Sequence, residues 1–265
     1  MTPKIRVEKL QEGLLAKRFG KRILFCHEVG STNDWAKELA KLGAVEGTVA
    51  VVEVQTAGHG RLGRKWVSPE GGLWFSVILR PRQHPLEAAG LVFVAGLAAA
   101  DVLHDVYGLV VETKWPNDVL ASGRKLCGIL CEMSTTGEKV GFAVIGIGVN
   151  VNFEVKEVFP KSLASTATSV KDELGRAIRL EELLRALLER LESVYDLLSE
   201  RGLPAVIEKW KKYASFLGQK IEVTSGNEKS RGLALDVDGD GALLLKLGDG
   251  TVKRVHVGDV SLRRE

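Results

Sequence analysis

Apolar residues change their spacing several times along the chain, and each change marks an element. Val7, Leu10, Leu14 and Leu15 recur among charges at helical intervals, which predicts a short amphipathic helix within residues 1–20. Lys21 to Val29 and Val49 to Val54 read as strands. Between them Gly30-Ser31-Thr32-Asn33-Asp34 opens a helix running to Gly43, with Ser31 at the cap and Asp34 at capping-box spacing. Leu73 to Leu79 is a further strand that sends Trp74 and Phe75 to opposite faces, and Pro81 and Pro85 break it. Leu86 to about Tyr107 is apolar nearly all round, the pattern of a helix buried within its domain. Val110 to Trp115 is extended again, Pro116-Asn117-Asp118 turns, and Val119-Leu120 resumes the strand. Turns at Ser122-Gly123-Arg124 and Thr136-Gly137-Glu138-Lys139 bound two long strands, 125–133 and 140–152, and connections this short imply antiparallel pairing. Gly128, Gly146 and Gly148 interrupt those strands, either as bulges or as the floor of a pocket where a ligand approaches the backbone. Helices follow over Glu181 to Leu198 and, after Pro204, Ala205 to Tyr213. From Leu217 the pattern becomes four short strands, 220–224, 232–237, 242–247 and 251–257, with Gly/Asp-rich turns, which predicts a small closed or partly closed β-barrel. The boundary falls near Ser215, dividing 1–215 from 216–265.

Composition narrows the class of function. With 265 residues, 45% hydrophobic and 27% charged, the chain can build one sizeable core and a small extra domain. A net charge of +3 with dispersed cations gives no nucleic-acid-binding face, and residues 1–20 are too few for a DNA-binding domain, so no DNA partner is expected. Cys26, Cys127 and Cys131 are odd in number, lack C-x-x-C spacing and have no nearby histidines, so neither a disulfide framework nor a zinc site is expected. No apolar leader opens the chain, and the uncharged stretch Ala88 to Ala100 is too short for a bilayer. A soluble cytoplasmic protein without a membrane partner is the expectation.

The chemistry concentrates in Gln55-Thr56-Ala57-Gly58-His59-Gly60-Arg61-Leu62-Gly63-Arg64-Lys65-Trp66. Its glycines let backbone N–H groups approach an anion, and its arginines supply planar donor forks for phosphate or carboxylate. Gly58-His59-Gly60-Arg61-Leu62-Gly63 satisfies the dinucleotide pattern G-x-G-x-x-G, but the residues after Gly63 run into Pro69 and Gly71-Gly72 with no helical period, so that reading fails. A P-loop fails too, because no hydroxyl follows Arg64-Lys65 where magnesium would need one. Simple capping explains Ser31 without ligand, and turn chemistry explains Asn117 and Asp118; both readings stay open on the residues alone.

Together, Gly30-Ser31-Thr32-Asn33, the glycine-arginine loop, Lys114-Trp115-Pro116-Asn117-Asp118, Arg124-Lys125-Leu126-Cys127-Gly128-Ile129-Leu130 and Gly146-Ile147-Gly148-Val149-Asn150 resemble the biotin protein ligases. The resemblance spans nearly the whole chain. It implies an α+β fold related to class II aminoacyl-tRNA synthetases, a mixed and largely antiparallel sheet with helices on one side, and a C-terminal SH3-like barrel. The winged helix-turn-helix of the repressor members has no counterpart in this sequence. His59 stands where arginine is commoner, which makes any cationic role there depend on pH.

The implied reaction activates biotin with Mg-ATP to biotinyl-5′-AMP and then transfers biotin to a lysine of a biotin carboxyl carrier domain. The resemblance assigns Ser31, Thr32, Asn33 and Gln55 to the biotin ureido ring, with Gly58, His59, Gly60, Gly128, Gly146 and Gly148 around biotin. Arg61 and Lys125 would neutralise the biotin carboxylate and then the α-phosphate. Lys114 would meet the ATP phosphates, Arg64, Asn117 and Asn150 the nucleotide or its Mg2+, and Trp66 and Trp74 would offer faces to adenine or walls to biotin. Asp118 either accepts the proton of the incoming lysine amine or orients Lys125 or Arg61 as an ion pair. A lipoate-type ligase and a non-catalytic biotin- or nucleotide-sensing module are the rivals, and a homodimer is the family's expectation.

Overall fold

The computed structural model describes residues 5–81, 90–137 and 139–262. A seven-stranded sheet comes first, built from β1 (Ile23–Val29), β2 (Val49–Gln55), β3 (Leu73–Leu79), β4 (Val111–Lys114), β5 (Asp118–Ala121), β6 (Arg124–Thr136) and β7 (Lys139–Val149), in the order β1-β2-β3-β7-β6-β5-β4. Only β1 and β2 run parallel; every other neighbour is antiparallel.

Alternation along the central strands sets what each face does. Val49 and Val51 of β2, Phe75 and Val77 of β3 and Ile145 and Ile147 of β7 enter one large core. Over that face lie α3 (Leu91–Asp105) and the long α7 (Leu180–Trp210). The intervening positions turn the other way, where Ala36 and Ala40 of α2 (Thr32–Lys41) pack on Ala50, Ile78 and Val144. The helices therefore do not all lie on one side: α2 covers one end of the opposite face, Phe153, Val155 and Ala167 pack over Val52 and Trp74, and the stretch between stays open. Both faces are covered at the β2–β3 end, so those strands read as unbroken apolar runs.

Several local expectations shift. The first helix is only α1 (Val7–Gln11). Beyond it the backbone is held by side chains of α7: Glu189 Oε1 accepts from Leu15 N, and the Glu192 carboxylate accepts from the amides of Lys17, Arg18 and Phe19 at 2.7–2.8 Å. Of the buried helix expected from Leu86, residues 86–89 lie outside the described residues, as does Pro85. The two C-terminal helices of the domain are one element, α7, broken at Gly202 (φ 76°) just before Pro204. Arg80 closes the C-terminal end of α2, its Nη2 donating to the carbonyls of Ala40 (2.9 Å) and Ala44 (2.8 Å). Ala40 lies in the helix's last turn, where its carbonyl also accepts from Gly43 N at 3.1 Å, and Ala44 lies just beyond the helix.

Three short helices, α4 (Val155–Val158), α5 (Lys161–Ala164) and α6 (Val170–Leu174), follow β7. The second sheet is antiparallel, with β8 (Lys220–Ser225), β9 (Glu228–Val237), β10 (Leu243–Leu247), β11 (Val252–Val255) and β12 (Asp259–Leu262) in the order β11-β10-β9-β8-β12. Its last strand, β12, is one more than the sequence pattern predicts. Ile221, Val223, Val237 and Leu245 belong to the same core cluster as α3 and α7. The junction is aromatic: Phe93 meets Trp210 edge-on at 5.2 Å, and Trp115 Nε1 donates to the carbonyl of Gly241 at 3.0 Å. Among the described residues no helix is long and apolar enough to cross a membrane.

Candidate active site

The open part of the sheet's second face forms the floor of a cavity of about 720 Å3. Gly128 of β6 and Gly148 of β7 are register partners on that face, and Gly146 pairs with Leu130. A Cβ on Gly148 would lie 2.6 Å from Trp66 Nε1, and one on Gly146 would lie 2.1 Å from Asn33 Oδ1. The glycines are therefore not bulges; they let Trp66 and Asn33 lie directly on the sheet.

The 55–66 loop crosses above this floor as a distorted hairpin. Gln55 bridges to Ser68 and His59 to Lys65, and Leu62 takes a left-handed φ of 57° at the tip, where its side chain is exposed. Gly58 is needed at the loop's base, because a Cβ there would come within 2.6 Å of the Trp66 carbonyl oxygen. It supports the cavity without lining it.

At the closed end, polar groups satisfy one another in a chain. Gln55 Oε1 accepts from Thr32 N (2.8 Å) and Thr32 Oγ1 (3.1 Å), while its amide nitrogen donates to Ser68. Ser76 Oγ lies 2.8 Å from Thr32 Oγ1 and 2.7 Å from Asn33 Oδ1. Asn33 Nδ2 donates to the Leu130 carbonyl and to Glu132. Ser31 holds the N-cap position of α2, yet its side chain makes no capping bond. Its hydroxyl is thus left facing the cavity. Asp34 binds Lys37 at 2.8 Å instead of closing a capping box. Asp34, His59 and Glu132 bring possible ligand atoms within 4.8 Å of one another, but Lys37 Nζ already sits 2.8 Å and 3.0 Å from the two carboxylates.

Towards the mouth the lining becomes cationic. Arg61, Arg64, Lys65, Lys114, Arg124 and Lys125 face the cavity against two carboxylates, Asp118 and Asp259. That balance selects an anion. Lys125 Nζ is 2.7 Å from Asp118 Oδ1 and stands 5.0 Å above the centre of the Trp66 ring. Of the two roles open to Asp118, the ion pair with Lys125 is the one formed. Arg61 Nη1 donates to Asn117 Oδ1 and to the Gly258 carbonyl, both at 3.1 Å, and Arg64 pairs with Asp259. Lys114 lines the cavity with no ion pair among the described residues.

Two buried polar atoms at the wall have no partner among the described residues, Trp66 Nε1 and Asn150 Oδ1. Burial pushes the thiols of Cys127 and Cys131 up to about 12, which favours the protonated form at neutral pH.

Trp74 departs from its expected place. It points to the cavity face but is fully buried behind Trp66 (6.1 Å, edge-on) and Phe153 (6.5 Å), with Nε1 donating to the Pro69 carbonyl. Trp66 is the aromatic wall. Sequence patterning gives no sign of the far wall, Phe159, Leu163, Thr166 and Ala167, and Asp259 was not among the expected site residues. The wall comes from an irregular stretch with no period to read, whereas the alternation Asp259-Val260-Ser261-Leu262 does mark β12.

Comparison with known proteins matches this architecture. Residues 27–150 match the Biotin/lipoate A/B protein ligase family and residues 216–263 the Biotin protein ligase C terminal domain. The bifunctional ligase/repressor BirA of Bacillus subtilis is 34% identical over 98% of this chain and 79% of its own length. The biotin–[acetyl-CoA-carboxylase] ligase of Mycobacterium tuberculosis is 34% identical over 98% of this chain and 96% of its own. A biotin protein ligase from Aquifex aeolicus, solved in complex with biotin and ATP, superposes with a TM-score of 0.78 at 30% identity, covering 92% of this chain and all of that one. With both domains matched and the fold shared, the chain belongs to the biotin protein ligases, within the biotin/lipoate A/B protein ligase family.

Proposed function

We propose that the cavity takes biotin at its closed end and ATP at its cationic mouth, joins them as biotinyl-5′-AMP with release of pyrophosphate, and passes biotin to a lysine amine of a biotin carboxyl carrier domain with release of AMP. The observation that carries this reading is the polarity gradient of one cavity. Ser31 and the Thr32–Gln55 pair suit a neutral ring that both donates and accepts, and the lysines and arginines suit a carboxylate meeting a phosphate.

Charge is what this chain's residues manage. As a carboxylate oxygen attacks phosphorus, negative charge grows on the phosphoryl oxygens, and fixed cations in an enclosed site stabilise it. Lys125 turns from Asp118 towards that charge, and Arg61 does so from Asn117 and Gly258. Asp118, released from Lys125, is then free to accept the proton of the carrier amine. Lys114 holds phosphates, and Trp66 walls the site from water. Magnesium, which accompanies ATP and neutralises its phosphates, fits the orphaned oxygen of Asn150 as a hard ligand.

A homodimer, a cytoplasmic location and the absence of a DNA partner complete the reading. Three free cysteines support a reducing compartment, and the net charge of +3 offers DNA little. Pyrophosphate release from Mg-ATP, with biotin or lipoate as the only acid, tests the function. Release with biotin alone is expected; release with lipoate alone transfers the chain to that chemistry, and release with neither removes catalysis.

A further inference from the structure

Lys125 faces the cavity because of an irregularity in its strand. Across β5 and β6, Val119 pairs with Cys127 but Leu120 pairs with Lys125, so Leu126 is an extra residue. Leu126 and Cys127 both enter the helix-side core with no exposure. Strict alternation from Gly128, which faces the cavity, would send Lys125 into that core as well. The bulge reverses it, which is a recognised use of bulges beside functional sites.

Something must hold the extra residue in place, and the contacts converge on Glu173 of α6. The turn ahead of β6 has left-handed φ at both central residues, Ser122 (50°) and Gly123 (69°), a conformation uncommon for serine. Glu173 Oε2 accepts from Ser122 Oγ at 2.8 Å, and Oε1 accepts from Arg124 Nη2 at 2.9 Å and from Thr168 Oγ1 at 2.6 Å. Thr168 lies beside Lys125: its amide donates to the Lys125 carbonyl at 2.9 Å, and the Lys125 amide donates to Thr166 at 2.8 Å. One carboxylate, its side chain 12% exposed, thereby ties down the turn before Lys125 and the segment alongside it. Glu173 itself does not line the cavity.

We propose that Glu173 is the positioning residue for Lys125, fixing the bulged start of β6 so that the ammonium is presented to Asp118 and the cavity. This rests on the reading that Lys125 serves biotin activation. Small displacements of a charge from its working position are costly, on the order of a hundredfold in rate for about 1 Å.

Five proteins test it: the parent chain, Glu173→Ala, Glu173→Gln, which keeps the bulk and one acceptor oxygen, Lys125→Ala, and the Lys125→Ala/Glu173→Ala double variant. Biotin-dependent pyrophosphate exchange reports activation, and carrier labelling from pre-formed biotinyl-adenylate reports transfer, both per folded molecule. Exchange is expected to fall in kcat by about tenfold to a hundredfold in Glu173→Ala and less in Glu173→Gln, with transfer within about twofold of the parent. Added to Lys125→Ala, Glu173→Ala should cause no further loss, since the group it positions is gone. A parent chain with no biotin-dependent exchange overturns the reading beneath this proposal and the proposal with it. If the parent is active, three results overturn the proposal alone: unchanged exchange in both single Glu173 variants, equal loss of exchange and transfer, or losses that multiply in the double variant.

Discussion

Arg61 and Gly258, 197 positions apart, are joined by a 3.1 Å hydrogen bond from guanidinium to carbonyl, and Arg64 pairs with Asp259 next door. The glycine-arginine loop is thus latched to the second sheet before any anion arrives. Asp259→Ala should raise the KM for ATP about threefold to tenfold, because the arginines must then be ordered by the phosphate itself. Stability should change by under about 1 kcal/mol, since the Arg64 end of the pair is exposed. Initial rates across ATP concentrations, beside a thermal melt, check both; an unaltered KM would make the latch incidental.

Lys125→Ala should damage biotin activation far more than transfer. An enclosed cation facing a developing phosphoryl charge is commonly worth about 3–4 kcal/mol. Pre-formed biotinyl-adenylate should restore most carrier labelling to the variant, and failure to restore any would remove Lys125 from the activation step.

Gly148→Ala tests the floor. Its Cβ would fall 2.6 Å from Trp66 Nε1, so the indole must lift from the sheet and carry the cavity wall with it. Overpacking of this kind costs about 1–3 kcal/mol of stability, and biotin should bind at least about tenfold more weakly, a difference of roughly 1.4 kcal/mol in binding free energy. Calorimetric titration with biotin is the measurement; unchanged affinity would mean that Trp66 does not bound the biotin end.

Glu192 makes an acid-dependent contribution to the fold. Burial works to raise its carboxyl, but hydrogen bonds from the amides of Phe19, Lys17 and Arg18, with the Arg18 charge, hold it below the ordinary glutamate value of 4.5. The folded chain binds this proton more weakly than the unfolded chain does, so the contribution is complete above 4.5 and fades as pH falls below it. Urea melts from neutral pH to pH ~3 should show wild type and Glu192→Gln converging as the medium acidifies. A constant gap between them would contradict this.

Sequence patterning carried the antiparallel pairing of the two long strands because their short turn is written locally, whereas the cavity-lining residues came from motif resemblance and not from periodicity. Gly128, Gly146 and Gly148 interrupt apolar strands, and Ser31, Gln55, Arg61 and Lys125 stand in short ordered motifs. Depth was less legible: alternation gave the side of the sheet Trp74 faces but not that Trp66 and Phe153 would cover it. Long-range backbone partners were not legible at all. Residues 12–19 look helical because nothing nearby shows that Glu189 and Glu192, over 170 positions on, would take their amides. The Lys125 bulge left a trace, two successive apolar residues at Leu126-Cys127 where alternation calls for one.

Trp115 sits between the cationic corner of the cavity and the second sheet, buried in the shared core with its indole nitrogen held by Gly241. Lys114 and Asn117, which line the cavity, flank it in the chain. The C-terminal sheet is therefore thermodynamically fused to this corner of the cavity, and the two should melt in a single cooperative transition. Catalytic defects can then originate in residues that never meet a substrate, and nucleotide binding should protect amide hydrogens of β9 and β10 from exchange as well as those of the cavity.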